Sequence, residues 1–172
     1  TVGDSTDPVS EPTAGGLSPH AHEDTIVLPY HDEESVERIL SRHRDELACV
    51  MLDPKAGIIP IRPDFMRRVR EITQELGILL IFDEIVGFRQ AKGGLQSKVG
   101  IKPDLTCFGK IIGGGFPVGA FGGRADLMDL TDNTEGPASV FQSGPHSGHA
   151  VAMAAGIATL ETLTDEAYDH LD

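Results

Sequence analysis

With 172 residues, 40% of them apolar, the chain can bury one hydrophobic core and is expected to form one domain at most. Its net charge of −13 is uneven: residues 1–37 and 125–172 carry only acids among their charged groups, and all fourteen Lys and Arg lie in 38–124. The mild basic excess of the centre is spread along the chain without a stripe, which argues against a nucleic-acid partner.

The sequence has no 18-residue apolar run and no charged-then-apolar leader, so neither a membrane span nor a signal peptide is expected. Cys49 and Cys107 each sit inside an apolar run. They predict buried free thiols in a reducing, cytoplasmic setting rather than a disulfide or metal framework.

Residues 1–24 are rich in Pro, Gly, Ser, Thr and acids without periodicity and predict an irregular leading segment. Thr25–Leu28 reads as a short strand. Asp32 offers an N-cap, and Val36, Ile39, Leu40 and Leu47 recur at helical spacing, which predicts a helix over about 32–45 and then a strand over 48–52. Pro63 suits a first helical turn, Phe65, Met66, Val69, Ile72 and Leu76 form an apolar stripe, and Gly77 ends it. The run Gly77-Ile-Leu-Leu-Ile-Phe-Asp-Glu84 then reads as a buried parallel strand. A short helical piece near 95–99, a strand ending at Phe108, a strand near 118–122, a helical turn or two over 124–130 and a small-residue helix over about 148–163 complete the series. The alternation predicts an α/β fold with a mostly parallel sheet flanked by helices and right-handed crossovers.

Two residues point to chemistry. Lys110 closes an apolar strand and opens onto Gly113, Gly114 and Gly115, a setting in which a flat molecule can approach the backbone. An amine in apolar surroundings is more often neutral and nucleophilic than one in water. Asp83 sits at a strand's carboxyl end, the edge where open α/β sheets bind ligands, so both residues meet in one crevice if their strands are neighbours. An acid for a pyridinium nitrogen and a lysine for an aldehyde carbon are the groups that pyridoxal phosphate requires of a protein.

The strings Asp83-Glu84-Ile85-Val86-Gly87-Phe88-Arg89, Lys102-Pro103-Asp104-Leu105-Thr106, Phe108-Gly109-Lys110-Ile111-Ile112-Gly113-Gly114-Gly115 and Pro117-Val118-Gly119-Ala120 resemble the fold-type I, class III aminotransferases, in particular their glutamate-1-semialdehyde aminomutase-like branch. The resemblance runs from about Thr25 to Leu163. It implies that residues 25–172 are the central part of a cofactor-binding large domain, without the upstream phosphate loop and the C-terminal small domain. It also implies pyridoxal phosphate as cofactor, an amine or amino acid as substrate, and a homodimer as assembly. Lys110 then corresponds to the Schiff-base lysine, Asp83 to the partner of the ring nitrogen, and Ile85 to the apolar residue on one ring face. Both transaminases and aminomutases use this lysine and acid.

The chain departs from the family pattern at two points. One residue is lacking after Asp83, with Gly87 where a threonine is expected. In Gln142-Ser-Gly-Pro-His-Ser-Gly148 the threonine that reaches the phosphate of the neighbouring subunit is replaced by Pro145, which leaves Ser143 or Ser147 to substitute; the N–H groups of His146 and Ser147 are expected to point together at an anion, with Ser147 contributing to the partner's phosphate pocket.

Other readings carry less. Leu79–Glu84 fits a Walker B strand, but no G-x-x-x-x-G-K-[ST] loop accompanies it, and the glycines after Lys110 break the dinucleotide fingerprint at Val118. The pairs His146/His149 and His20/His22 lack the further ligands of a zinc set, so no metal is expected. A non-catalytic remnant or oligomerisation module that keeps the sheet is the alternative from another class.

Overall fold

The computed structural model describes residues 2–12, 14–18, 20–57 and 59–171. They fall into two compact units, Thr1–Ala48 with Arg62–Ile78, and Cys49–Ile61 with Leu79–Asp172.

The first unit begins with a hairpin where an irregular segment was expected: β1 (Val2–Asp4) pairs antiparallel with β2 (Asp7–Val9). Asp4 makes the turn, since its Oδ1 accepts from both the N–H and the hydroxyl of Thr6 at 2.8 Å. Arg38 donates to the Thr6 carbonyl at 2.6 Å and Arg42 to Asp7 at 3.1 Å, tying the hairpin to the first helix. The strand expected at Thr25–Leu28 is absent. The backbone of 25–29 is unpaired by any ladder, and an apolar run without a neighbouring strand cannot satisfy its N–H and C=O groups as a sheet does.

Helix α1 (Glu33–Arg42) starts where Asp32 accepts the Ser35 N–H at 3.1 Å, and buries Val36, Ile39 and Leu40. Helix α2 (Pro63–Leu76) has proline in its first turn, ends at left-handed Gly77, and buries Phe65, Met66, Val69 and Ile72. The two helices pack on each other, each buried aliphatic side chain contributing about 1.5–3 kcal/mol. Arg68 bridges them to Glu37 at 2.7 Å.

The second unit is built on a four-stranded sheet in the order β3 (Cys49–Leu52), β4 (Leu79–Asp83), β5 (Leu105–Gly109), β6 (Gly119–Gly123). The first three strands are parallel and β6 runs antiparallel to β5, so the fold is α/β with a mostly parallel, mixed sheet, as expected. Leu80 and Phe82 are fully buried, which explains why this strand reads as continuous apolar sequence. Asp104 pins the register at the far end of the strands from the ligand edge. Its buried carboxylate accepts the Leu80 N–H at 2.8 Å and Arg124 Nη1 at 3.1 Å, and its backbone bonds both Leu80 and Arg124.

Around the sheet stand α3 (Gly94–Val99), α4 (Ala125–Met128) with a 3₁₀ turn at Asp129–Thr131, α5 (Ala150–Thr162) and α6 (Asp165–Leu171). Among the described residues no helix is long and apolar enough to cross a membrane.

Candidate active site

Strands β4 and β5 are adjacent and parallel, with Asp83 opposite Cys107. Asp83 is the last residue of β4, and Lys110 follows directly on Gly109, the last residue of β5. The two residues therefore leave the carboxyl edge of neighbouring strands, the arrangement that the sequence required of them.

Lys110 opens a 3₁₀ turn, Lys110–Gly113, and its backbone is left-handed at φ 50°. His31 is the one other described non-glycine residue with positive φ. Such a conformation is disfavoured for a residue with a Cβ and persists only where the surroundings hold it. The Lys110 side chain is exposed, and among the described residues its amine makes no hydrogen bond or ion pair. Its availability comes from this open position at the strand end rather than from the apolar burial expected of it.

Asp83 is half-buried, and its Oδ1 accepts the Ile85 N–H at 3.0 Å. Burial pushes the Cys107 thiol up from its ordinary pKa, with the negative charge of Asp83 as the second cause. That places Asp83's field on the sheet face shared by Cys107 and Phe121, its cross-strand partner. Ile85 lies over the last residue before the lysine: a β-carbon on Gly109 would stand 3.5 Å from both Ile85 Cγ1 and Cγ2.

Glu84 was given no role by the sequence, yet it organises the loop that follows Asp83. It is fully buried, and its carboxylate accepts the backbone N–H of Leu95 at 3.1 Å and of Gln96 at 2.6 Å, so it caps the start of α3. Gly94 comes so close that a β-carbon there would stand 2.8 Å from Oε1, and one on Gly87 would overlap Oε2. A side chain at position 87 would therefore displace this carboxylate. Burial raises the Glu84 pKa, the bonds from Gln96 and Leu95 oppose this, and the charges of Asp53 and Asp83 add to it.

Ser147 lines an apolar cleft of about 540 Å³ together with Phe88, Phe108, Val118, Ala152 and Ile157, a cleft whose lining includes neither Asp83 nor Lys110. Phe88 and Phe108 meet there edge to face at 5.2 Å. The expectation that the N–H groups of His146 and Ser147 point together at an anion is corrected for Ser147, whose N–H closes a turn onto the Gly144 carbonyl at 3.0 Å. His149 accepts the Ala152 N–H at 3.4 Å and caps α5. Among the described residues no three His, Cys, Asp or Glu gather as a metal site.

A profile of the family described as Aminotransferase class-III matches residues 8–170. The glutamate-1-semialdehyde 2,1-aminomutase of Thermomicrobium roseum is 47% identical over 154 residues, 87% of this chain and 35% of that protein. An omega-transaminase from Sphaerobacter thermophilus superposes with a TM-score of 0.90 at 46% identity, covering 95% of this chain and 38% of that one. A beta-phenylalanine aminotransferase from Variovorax paradoxus gives a TM-score of 0.77 at 45% identity over 83% of this chain and 34% of that one. The chain thus spans a little over a third of the length of the relatives it matches.

Proposed function

Because the chain belongs to the class III aminotransferase family, we propose that it is the segment of a pyridoxal-phosphate-dependent amino-group transferase that carries the cofactor lysine, with residues 25–172 forming part of the cofactor-binding large domain. The observation that carries this reading is the placement of Asp83 and the free amine of Lys110 at the carboxyl edge of adjacent parallel strands.

The residues fit a pyridine aldehyde. Asp83 is an acceptor for a ring N–H, Lys110 is a primary amine without a partner among the described residues, and Gly109 under Ile85 leaves an apolar surface free of side-chain bulk. When bound, pyridoxal phosphate supplies a ring that withdraws electrons from a bond to the substrate carbon. Lys110 would hold the cofactor covalently and, once released by an incoming amine or amino acid, would carry a proton between the substrate α-carbon and the cofactor as general base and then general acid. Asp83 would keep the ring nitrogen protonated, and Ile85 would rest against one ring face. Transaminase and aminomutase relatives match this chain at 46% and 47% identity, and both activities call on this lysine and acid. The free thiols Cys49 and Cys107 accord with a cytoplasmic enzyme.

The test is spectroscopic. Titrating the purified chain with pyridoxal phosphate is expected to give a saturable visible absorbance band, and borohydride reduction followed by peptide mapping should place the label on Lys110. Lys110→Ala is expected to lose the band. Labelling spread over Lys55, Lys92, Lys98 and Lys102 would refute the assignment, and absence of any saturable band would favour a non-catalytic module.

The reading extends to assembly: a homodimer in which the Ser147 hydroxyl, exposed and not needed for the turn, donates to the phosphate held by the partner subunit. A hydrogen bond to a charged group contributes about 1.5–3 kcal/mol, so Ser147→Ala is expected to weaken cofactor affinity by roughly tenfold or more. Unchanged affinity in the dimer, measured by equilibrium dialysis, would remove Ser147 from the site.

A further inference from the structure

Lys110–Gly113 is a single 3₁₀ turn, carried on by bonds from the Gly114 N–H to the Ile111 carbonyl at 3.2 Å and from the Phe116 N–H to the Gly113 carbonyl at 3.0 Å. The disfavoured φ of its first residue, Lys110, needs a restraint from the surroundings. That restraint is the backbone of α5. A β-carbon on Gly156 would overlap the Ile112 carbonyl oxygen. From the other side, a β-carbon on Gly114, itself left-handed at φ 58°, would overlap the Ala155 carbonyl oxygen and come within 2.6 Å of Thr159 Oγ1. Helix and turn thus touch main chain to main chain at two points. The turn also rests against Val118, whose Cγ1 lies 2.6 Å from where a Gly113 β-carbon would be.

We infer that Gly156 and Gly114 are positioning residues for Lys110: the direct contact of α5 with the turn fixes the backbone from which the Lys110 amine reaches the strand edge beside Asp83. This rests on the reading of Lys110 as the cofactor lysine. A side chain at position 156 has to push Ile112 away, and Ile112 belongs to the same four-residue turn as Lys110, so the displacement reaches the backbone that carries the amine. Propensity alone works the other way, since alanine is a better helix former than glycine. A loss caused by Gly156→Ala therefore comes from the contact and not from the helix.

The experiment uses the 172-residue chain and two readouts. Competitive acylation of the apo chain with acetic anhydride gives the reactivity of Lys110 relative to Lys55, Lys92, Lys98 and Lys102, and titration with pyridoxal phosphate gives cofactor affinity. Gly156→Ala is expected to change the relative reactivity of Lys110 by about threefold or more and to weaken affinity by about tenfold, as misplacement of a reacting group does. The control Ala154→Gly loosens the same helix at an exposed position away from the turn and is expected to leave both readouts as in the parent. Should Gly156→Ala fail to fold, Thr159→Ala removes the hydroxyl that closes on Gly114 and is expected to shift Lys110 reactivity alone by about twofold. Lys110 reactivity and affinity unchanged in Gly156→Ala, unchanged reactivity in Thr159→Ala, or equal shifts in Ala154→Gly would overturn the inference. Failure of the underlying reading looks different, because the reduced cofactor would then be found on another lysine in the parent chain itself.

Discussion

Asp83→Ala is expected to lower turnover by about 10²–10³-fold in an enzyme that carries this segment, the cost typical of removing one group aimed at charge in the reacting state. The fold should notice little. Asp83 is half-buried at a strand end, and its carboxylate accepts a local bond from the Ile85 N–H, a contact of about 0.5–1.5 kcal/mol. Asp83→Asn separates charge from structure, since the amide oxygen still accepts that N–H but carries no negative charge. If the charge matters, as a partner for a protonated ring nitrogen must, Asn is as inactive as Ala. Near-parental kcat in either variant, with melting temperature as the parallel measurement, would remove Asp83 from the mechanism. An active Asn variant beside an unstable Ala variant would mark it as structural.

What the sequence conveyed and what it withheld have identifiable causes. Helices α1 and α2 were legible because each carries its own boundary chemistry, Asp32 and Pro63 at the start and Gly77 at the end, around a stripe that the structure buries. Strands β4 and β5 were legible because burial on both faces leaves an unbroken apolar run that ends in the residues of interest. The 2–9 hairpin was not, since it depends on an aspartate turn and on Arg38 and Arg42 from some thirty residues away, and neither leaves a hydrophobic alternation. Thr25–Leu28 misled for the opposite reason: it has strand composition but no ladder. Helix α6 was missed although Thr164 accepts the Ala167 N–H at its start, because seven residues are too few for a periodic stripe. At the site, residue types foretold Asp83 and Lys110, whereas the left-handed backbone of Lys110 depends on its surroundings and the Ser147 N–H is taken by a local turn onto Gly144.

Glu84 yields the second large effect, on stability. Its buried carboxylate is the acceptor for two backbone N–H groups, so Glu84→Ala leaves both donors of the α3 start without that partner, at about 1–3 kcal/mol for each group left unsatisfied. A loss of roughly 3 kcal/mol is expected, together with loosening of the loop that Gly87 and Gly94 let close over the carboxylate. The pH dependence has a definite sign. Burial, the largest cause, raises the folded-state pKa above the ordinary value near 4.5, so the folded chain binds the Glu84 proton more tightly than the unfolded one. The stability from this titration is fully present below about pH 4.5 and is lost as pH rises through the folded-state value. Glu84→Gln cannot titrate, and the stability difference between parent and Gln variant should therefore shift against the parent as pH rises from about 4.5 toward neutrality. Urea melts of both proteins across that range decide the matter. A difference that is flat with pH, or one that moves in the parent's favour, would mean that the bonds from Leu95 and Gln96 outweigh burial and hold Glu84 as an ordinary ionised cap.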